Sequence, residues 1–130
     1  MVAASLKKHE DQILQLNKEQ LAKGMYPNGS PTPRYSEATL SMRAEAGNPP
    51  TSTNFTLFDS GQLNRAMYNV LEDLVLTIDS DSITAKKLDA DLRDRYRITI
   101  DNFFGVPDKE EMKVLTLVFE DVLSQIKKLL

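Results

Sequence analysis

Residues 108–130 place apolar side chains at the spacing of an amphipathic helix, and this feature constrains the fold most. The stripe consists of Leu115, Val118, Phe119, Val122, Ile126 and Leu129, and it is widened by Leu117, Leu123 and Leu130. Asp108 with Glu111 three residues later predicts a capped start. Such a helix usually packs on its own sheet as part of the core. The alternative is that its surface, ending in residues 126–130, partly faces another subunit.

A second informative stretch covers residues 55–70. The alternation of Phe55 and Leu57 predicts a strand, and the Asp59-Ser60-Gly61 corner predicts a sharp turn with two good N-cap residues. A short helix is predicted from Gln62, with its apolar face formed by Leu63, Ala66, Met67 and Val70. We interpret this corner as structural, because nothing in it is a nucleophile activated by a base.

Helices and short strands are predicted along the rest of the chain. Residues 5–23 read as a helix stopped by Gly24, and Ser36 caps a second helix through Glu45. Strands are predicted at 74–79, 83–84 and 96–100, with a polar helix at 85–95. These elements predict one α+β domain over residues 1–130. A small antiparallel sheet (core segment 55–107) packs with an N-terminal helix (1–23), a short central helix and a long C-terminal helix (108–130), and residues 24–54 form a loop-rich segment with a short helix.

Composition excludes several classes of function. The 130 residues carry a net charge of −3, which argues against direct nucleic-acid binding, and the absence of Cys excludes disulfides and thiolate chemistry. No run reaches the length of a signal peptide core or a membrane span. We therefore expect a protein that stays in the cytoplasm or in a particle assembled there.

The candidate chemical sites all have simpler explanations. Residues 79–82 begin like a calcium loop, but Thr84 and Ala90 stand where Gly and a carboxylate are needed. His9, the single histidine, lies among polar residues and is expected to be exposed, so that His9→Ala would be silent. The basic residues of 86–97 alternate with acidic ones, which favours a salt-bridged helix face. We expect no catalytic residue, metal or cofactor.

The central corner also carries a family resemblance. Leu57, Asp59, Ser60, Gly61 and Leu63 resemble a motif of small bacteriophage virion-morphogenesis proteins, the tail-completion and head–tail connector proteins of the phage neck. Residues 16–24, 27–29, 35–39 and 103–106 are similar to other parts of such proteins. The resemblance implies a structural virion protein that acts as many copies in a ring. The implied partners are copies of itself and portal, adaptor, tail terminator or tail tube proteins.

Under this hypothesis the contacts between subunits lie on the N-terminal helix, on the loops 25–34 and 48–54, and on the C-terminal helix. The candidate residues are Leu6, Ile13, Met25, Tyr35, Pro49, Pro50, Leu123, Ile126 and Leu130. The alternative is a small cytoplasmic protein-binding module or regulator, since an acidic α+β domain without catalytic groups fits that function equally well.

Overall fold

A computed structural model describes residues 2–57, 62–72, 75–81 and 83–130. This part of the chain contains six α-helices and a two-stranded antiparallel sheet, so the predicted α+β class is confirmed. In chain order the elements are α1 Val2–Lys8, α2 Glu10–Ala22, α3 Glu37–Glu45, α4 Gln62–Arg65, β1 Met67–Glu72, β2 Val75–Ser80, α5 Ile83–Tyr96 and α6 Glu111–Leu129. Short 3₁₀ turns cover Ile100–Phe103 and Asp108–Glu110.

The N-terminal region is two helices instead of the single one predicted. The break falls at His9, whose backbone (φ −100°, ψ 13°) departs from helical values. Gly24 ends α2 as expected: its φ is +70°, and its N–H donates to the Leu21 carbonyl at 2.8 Å. The predicted cap of α3 is also confirmed, because the Ser36 hydroxyl accepts a hydrogen bond from the Thr39 N–H at 3.1 Å.

The central region departs most from the sequence prediction. The helix that starts at Gln62 ends at Arg65, and the chain turns into strand β1, where Met67 pairs with Ser80 of β2. The predicted strand at Phe55 and Leu57 is not formed, because Leu57 has a left-handed backbone with φ +58°. Strand β2, Val75–Ser80, confirms the strand predicted at 74–79 over the residues that the structure describes.

Two further strand predictions are wrong. Ile83 begins helix α5 instead of pairing back as a hairpin. Tyr96 ends the same helix, Arg97 turns the chain with φ +57°, and Ile100 begins a 3₁₀ turn. Ile98 and Ile100 therefore pack with the core from the connection after α5 and from the 3₁₀ turn, without forming a strand.

The core lies where the N-terminal helices, the sheet, α5 and the 100–104 turn meet. Helix α1 packs against α6, α2 against β1, and α4 against α5. The buried apolar residues are Leu6, Ile13, Leu14, Leu21, Phe55, Leu63, Met67, Ile78, Ala85, Leu92, Ile100, Phe103, Phe104 and Val114. Only one of them, Val114, belongs to α6. The longest helix therefore lies at the margin of the core.

Buried Asn17 links α2 to the turn before α6. Its amide Nδ2 donates to the Phe103 carbonyl at 3.1 Å, and its Oδ1 accepts from the Gly105 N–H at 3.3 Å. The Asn17 side chain is fully buried, and its two bonds satisfy the buried Phe103 carbonyl and the half-buried Gly105 N–H. This contact sets where the chain enters α6.

Candidate functional site

Helix α6 leaves most of its apolar side chains exposed. Val114 is buried and Val118 packs at the edge of the core, but the outer face carries a row of large apolar residues exposed by 38% to 100%. We call this row the α6 stripe; it consists of Met112, Leu115, Phe119, Leu123, Ile126, Leu129 and Leu130. Single exposed apolar residues are ordinary, whereas a contiguous row of seven on one helix is typical of an interaction surface.

The position of α6 is fixed by a polar cluster around Asp121. The carboxylate of Asp121 accepts hydrogen bonds from the Ser5 hydroxyl at 2.7 Å, the His9 Nε2 at 2.8 Å and the Lys8 Nζ at 3.2 Å. All three donors come from α1 or the residue after it. Helix α6 is therefore tied to α1 on its inner side while the stripe points away.

This cluster corrects the sequence interpretation of His9. The His9 side chain is only 18% exposed and bonds to a carboxylate on the last helix, so it is not a free surface group. The Ser5 hydroxyl first, and Lys8 and His9 after it, lower the pKa of Asp121 to about 2, against partial desolvation, which raises it. The role of the cluster is to hold two helices together.

The two loops predicted to contact other subunits are bonded to each other. The Tyr35 N–H donates to the Thr53 carbonyl at 2.8 Å, and the Phe55 N–H donates to the Pro33 carbonyl at 2.8 Å. Buried Thr32 adds hydroxyl bonds to the carbonyls of Gly24 (3.1 Å) and Phe55 (2.8 Å). The loops therefore form one hydrogen-bonded unit, which we call the loop unit.

A half-open cavity of about 740 Å³ lies between α3, α5 and this loop unit. Three aromatic rings, those of Tyr35, Phe55 and Tyr96, form one wall of the cavity. The centre of the Phe55 ring lies 4.9 Å from that of Tyr35 and 5.2 Å from that of Tyr96. The Arg43 guanidinium lies 5.7 Å from the centre of the Tyr35 ring. Leu57 and Gln62, which flank the undescribed residues 58–61, complete part of its lining.

The basic residues of α5 form the salt-bridged face that the sequence predicts. Arg93 pairs with Asp89 at 2.8 Å, and Arg95 pairs with Asp91 at 2.9 Å, both one turn apart. The Asp89 carboxylate also accepts the Ile100 N–H at 2.8 Å, and this bond is the main cause of its lowered pKa. The charges of these two arginines are therefore paired within the helix.

The structure separates the candidate residues into three groups. Leu6 and Ile13 are 6% and 1% exposed and pack in the core, which corrects their prediction as subunit contacts. Met25, Tyr35 and Pro50 are half-buried in or beside the loop unit, and Pro49 is exposed there. The last three, on the α6 stripe, are Leu123, Ile126 and Leu130.

The motif that carries the family resemblance is only partly described. Asp59, Ser60 and Gly61 lie outside the described residues. Leu57 is half-buried, and Leu63 is buried, with its carbonyl accepting a 2.7 Å hydrogen bond from the Ser80 hydroxyl. This hydrogen bond connects helix α4 to the end of β2.

Sequence reasoning missed Met112 as part of the exposed row and treated the rest of the stripe as mainly core. The available signal was the width of the apolar surface of the predicted helix. This surface includes Leu115 and Phe119 on one side and Val114 and Val118 on another, and it is wider than one core contact requires. The outer residues were then the ones left for a partner.

Comparisons with protein family models, with curated proteins and with solved structures found no match to this chain. Among residues 2–57, 62–72, 75–81 and 83–130, no group of three or more His, Asp or Glu side chains is placed to hold a metal ion. No helix in the same ranges is long and apolar enough to cross a bilayer.

Proposed function

We propose that this protein is a non-enzymatic structural subunit of a tailed bacteriophage, a tail-completion or head–tail connector protein that acts as a ring of copies in the neck or tail. The observation that carries the assembly part of this proposal is the α6 stripe, a row of apolar side chains left uncovered on a firmly anchored helix. The virion part rests on the resemblance of Leu57, Asp59, Ser60, Gly61 and Leu63 to the family motif.

The energetic argument concerns what an uncovered stripe costs. Burying one large apolar side chain is worth about 1.5–3 kcal/mol, so seven of them represent a driving force comparable to the whole stability of a small domain. In the isolated chain the stripe stays in contact with water, so the free energy of burying it is not gained. A partner that covers the stripe recovers it, which is the reason to assign α6 to an interface.

The loop unit supplies a second, more polar contact surface. Pro49 is exposed, and Met25 and Pro50 are half-exposed, on a backbone that is already hydrogen bonded. A ring needs two different complementary surfaces on each subunit, because its contacts are heterologous. In the proposed ring the partners are copies of this chain, with portal, adaptor, tail terminator or tail tube proteins above and below. The particle is then its final location, with the host cytoplasm as the site of assembly.

The experiment is mass spectrometry of purified particles of the phage whose genome encodes this chain, together with deletion of its gene. We expect the chain in particles as a fixed number of copies, and we expect heads and tails that do not join in the deletion strain. A chain recovered only in the soluble fraction, with normal particles after deletion, would contradict the proposal and favour the small binding module.

Complementation of the deletion strain tests the role of the stripe. We expect Leu123→Asp to fail, because it places a charge within the apolar row, and its neighbour Ser124→Asp to succeed, because Ser124 is exposed beside the row. Circular dichroism of both purified proteins checks that they remain folded. Equal complementation by the two variants would count against the stripe as an assembly surface.

A further inference from the structure

The first five members of the α6 stripe have a spacing that reads the same in both directions along the helix. They are residues 112, 115, 119, 123 and 126, with steps of 3, 4, 4 and 3, whereas Leu129 and Leu130 lie beyond this symmetric part. Reversal of the helix about Phe119 therefore places Met112 over Ile126 and Leu115 over Leu123. A surface with this property is complementary to a second copy of itself when the two helices run antiparallel.

The charges at the two ends of α6 favour the same orientation. Glu110 and Glu111 lie at its first turn, and Lys127 and Lys128 lie at its last. No ion pair between described residues uses any of these four side chains. Of these, Glu111 and Lys127 flank the stripe, whereas Glu110 and Lys128 lie on the same side of α6 as Asp121. Antiparallel pairing brings the Glu111 end of each helix near the Lys127 end of the other and opposes the helix dipoles favourably; parallel pairing would bring like charges together.

The size of the stripe fits a reversible dimer. Helix α6 has 19 residues, so it is about 28 Å long at 1.5 Å per residue. Two helices in contact over that length bury on the order of 1,000 Å² in total, the lower edge of the range for specific interfaces. We therefore expect association in the micromolar range.

We propose that α6 pairs antiparallel with α6 of a second copy of this chain, with the two Phe119 side chains meeting at a twofold axis. This inference rests on the proposed function only in that the protein acts as more than one copy. It assigns the stripe to an isologous contact that joins subunits in pairs, so that the heterologous contacts that close a ring fall to other surfaces, such as the loop unit.

The first test is sedimentation of the full chain from about 1 μM to about 1 mM, the range in which weak interfaces dissociate. We expect a monomer–dimer equilibrium for the wild type. Phe119→Asp should raise the dimer dissociation constant at least about 30-fold, as loss of a central apolar contact does. The matched control is Ile83→Asp on α5, since Ile83 is 67% and Phe119 66% exposed. The control should dimerise like the wild type.

The second test uses the absence of cysteine from the chain to map the orientation. Met112→Cys and Ile126→Cys proteins, distinguished by isotope label, are mixed and treated with a short bismaleimide. Antiparallel pairing predicts crosslinks between the two different variants and few within either one. Ile83→Cys serves as the control for random collision.

The outcomes separate this inference from the proposed function. Crosslinks from position 112 to 126 that Phe119→Asp abolishes support the pairing. A monomer at all concentrations, a 112-to-112 crosslink, or a dimer insensitive to Phe119→Asp overturns it. A chain found in particles but monomeric in solution, and without the 112-to-126 crosslink inside particles, refutes the pairing and leaves the virion function standing. If the protein pairs through α6 in solution but is absent from particles, the pairing is supported and the virion function is refuted.

Discussion

The junction between α2 and the loop unit provides a sharp test of the fold, through the substitution Gly24→Ala. Gly24 has φ +70°, and a Cβ built there would lie 2.5 Å from the Ser52 Oγ and 2.7 Å from the Asn54 Cβ. The left-handed backbone alone costs an alanine about 1–2 kcal/mol. The added Cβ also displaces Ser52, whose hydroxyl accepts a hydrogen bond from the Asn54 N–H at 3.1 Å. Weakening this bond lowers the free energy of unfolding by about 1 kcal/mol more. We expect a total loss of about 2–3 kcal/mol.

The matched control is Gly29→Ala in the same loop. Gly29 has φ +86° but nothing within 4 Å of an added Cβ, so it reports the backbone cost without the crowding. We expect it to lose only about 1–2 kcal/mol. Urea unfolding followed by circular dichroism measures both values, with hydrogen exchange at the Tyr35 and Phe55 amides as a local readout. Equal losses for the two variants would refute the close packing of Gly24 on the second loop.

Three further predictions concern the contacts that hold α6. His9→Ala should destabilise the fold by about 1 kcal/mol, in contrast to the sequence expectation, because it removes a hydrogen bond to Asp121; an unchanged urea midpoint would contradict this. Because the pKa of Asp121 is lowered to about 2, its ionised form stabilises the fold above the ordinary carboxyl pKa near 3.8, and that stability is lost as pH falls from about 4 to about 2. The difference in urea midpoint between wild type and Asp121→Asn should therefore shrink over that interval, and a constant difference would refute the charge effect. Asn17→Ala should cost about 2–4 kcal/mol, since it leaves the buried Phe103 carbonyl and the half-buried Gly105 N–H without their partner; the exposed Asn102→Ala is its control, and equal effects would argue against the bridge.

Local signals in the sequence were sufficient where an element is decided by its own residues. Helix α3 formed at the bounds that its Ser36 cap predicts, and α2 ends where Gly24 predicts, although its start at Glu10 was not predicted. Helix α6 formed from its long apolar repeat, but it begins at Glu111 after a 3₁₀ turn and without the side-chain cap predicted at Asp108. Local signals were also sufficient for the paired charges of α5.

Prediction was wrong where a partner distant in sequence decides the structure. The apolar residues at 63, 66 and 67 fit a helix, but Met67 instead pairs with Ser80 in the sheet. His9 appeared exposed because its partner, Asp121, lies 112 residues away. Likewise, the α6 stripe was recognised from its periodicity. Its exposure, however, depends on how much of α6 is covered by α1 and by the core. The extent of that cover is set by tertiary packing, and its one sign in the sequence is the width of the apolar surface.

The bonding between the two loops has a consequence for how fast a partner can be captured. Because Tyr35, Thr32 and Phe55 already hold the loop backbone in place, a partner docking there does not need to order the chain first. Binding therefore avoids most of the loss of conformational entropy that ordering a flexible segment would cost. Substitutions at exposed positions such as Pro49 should then alter the lifetime of the complex more than its rate of formation.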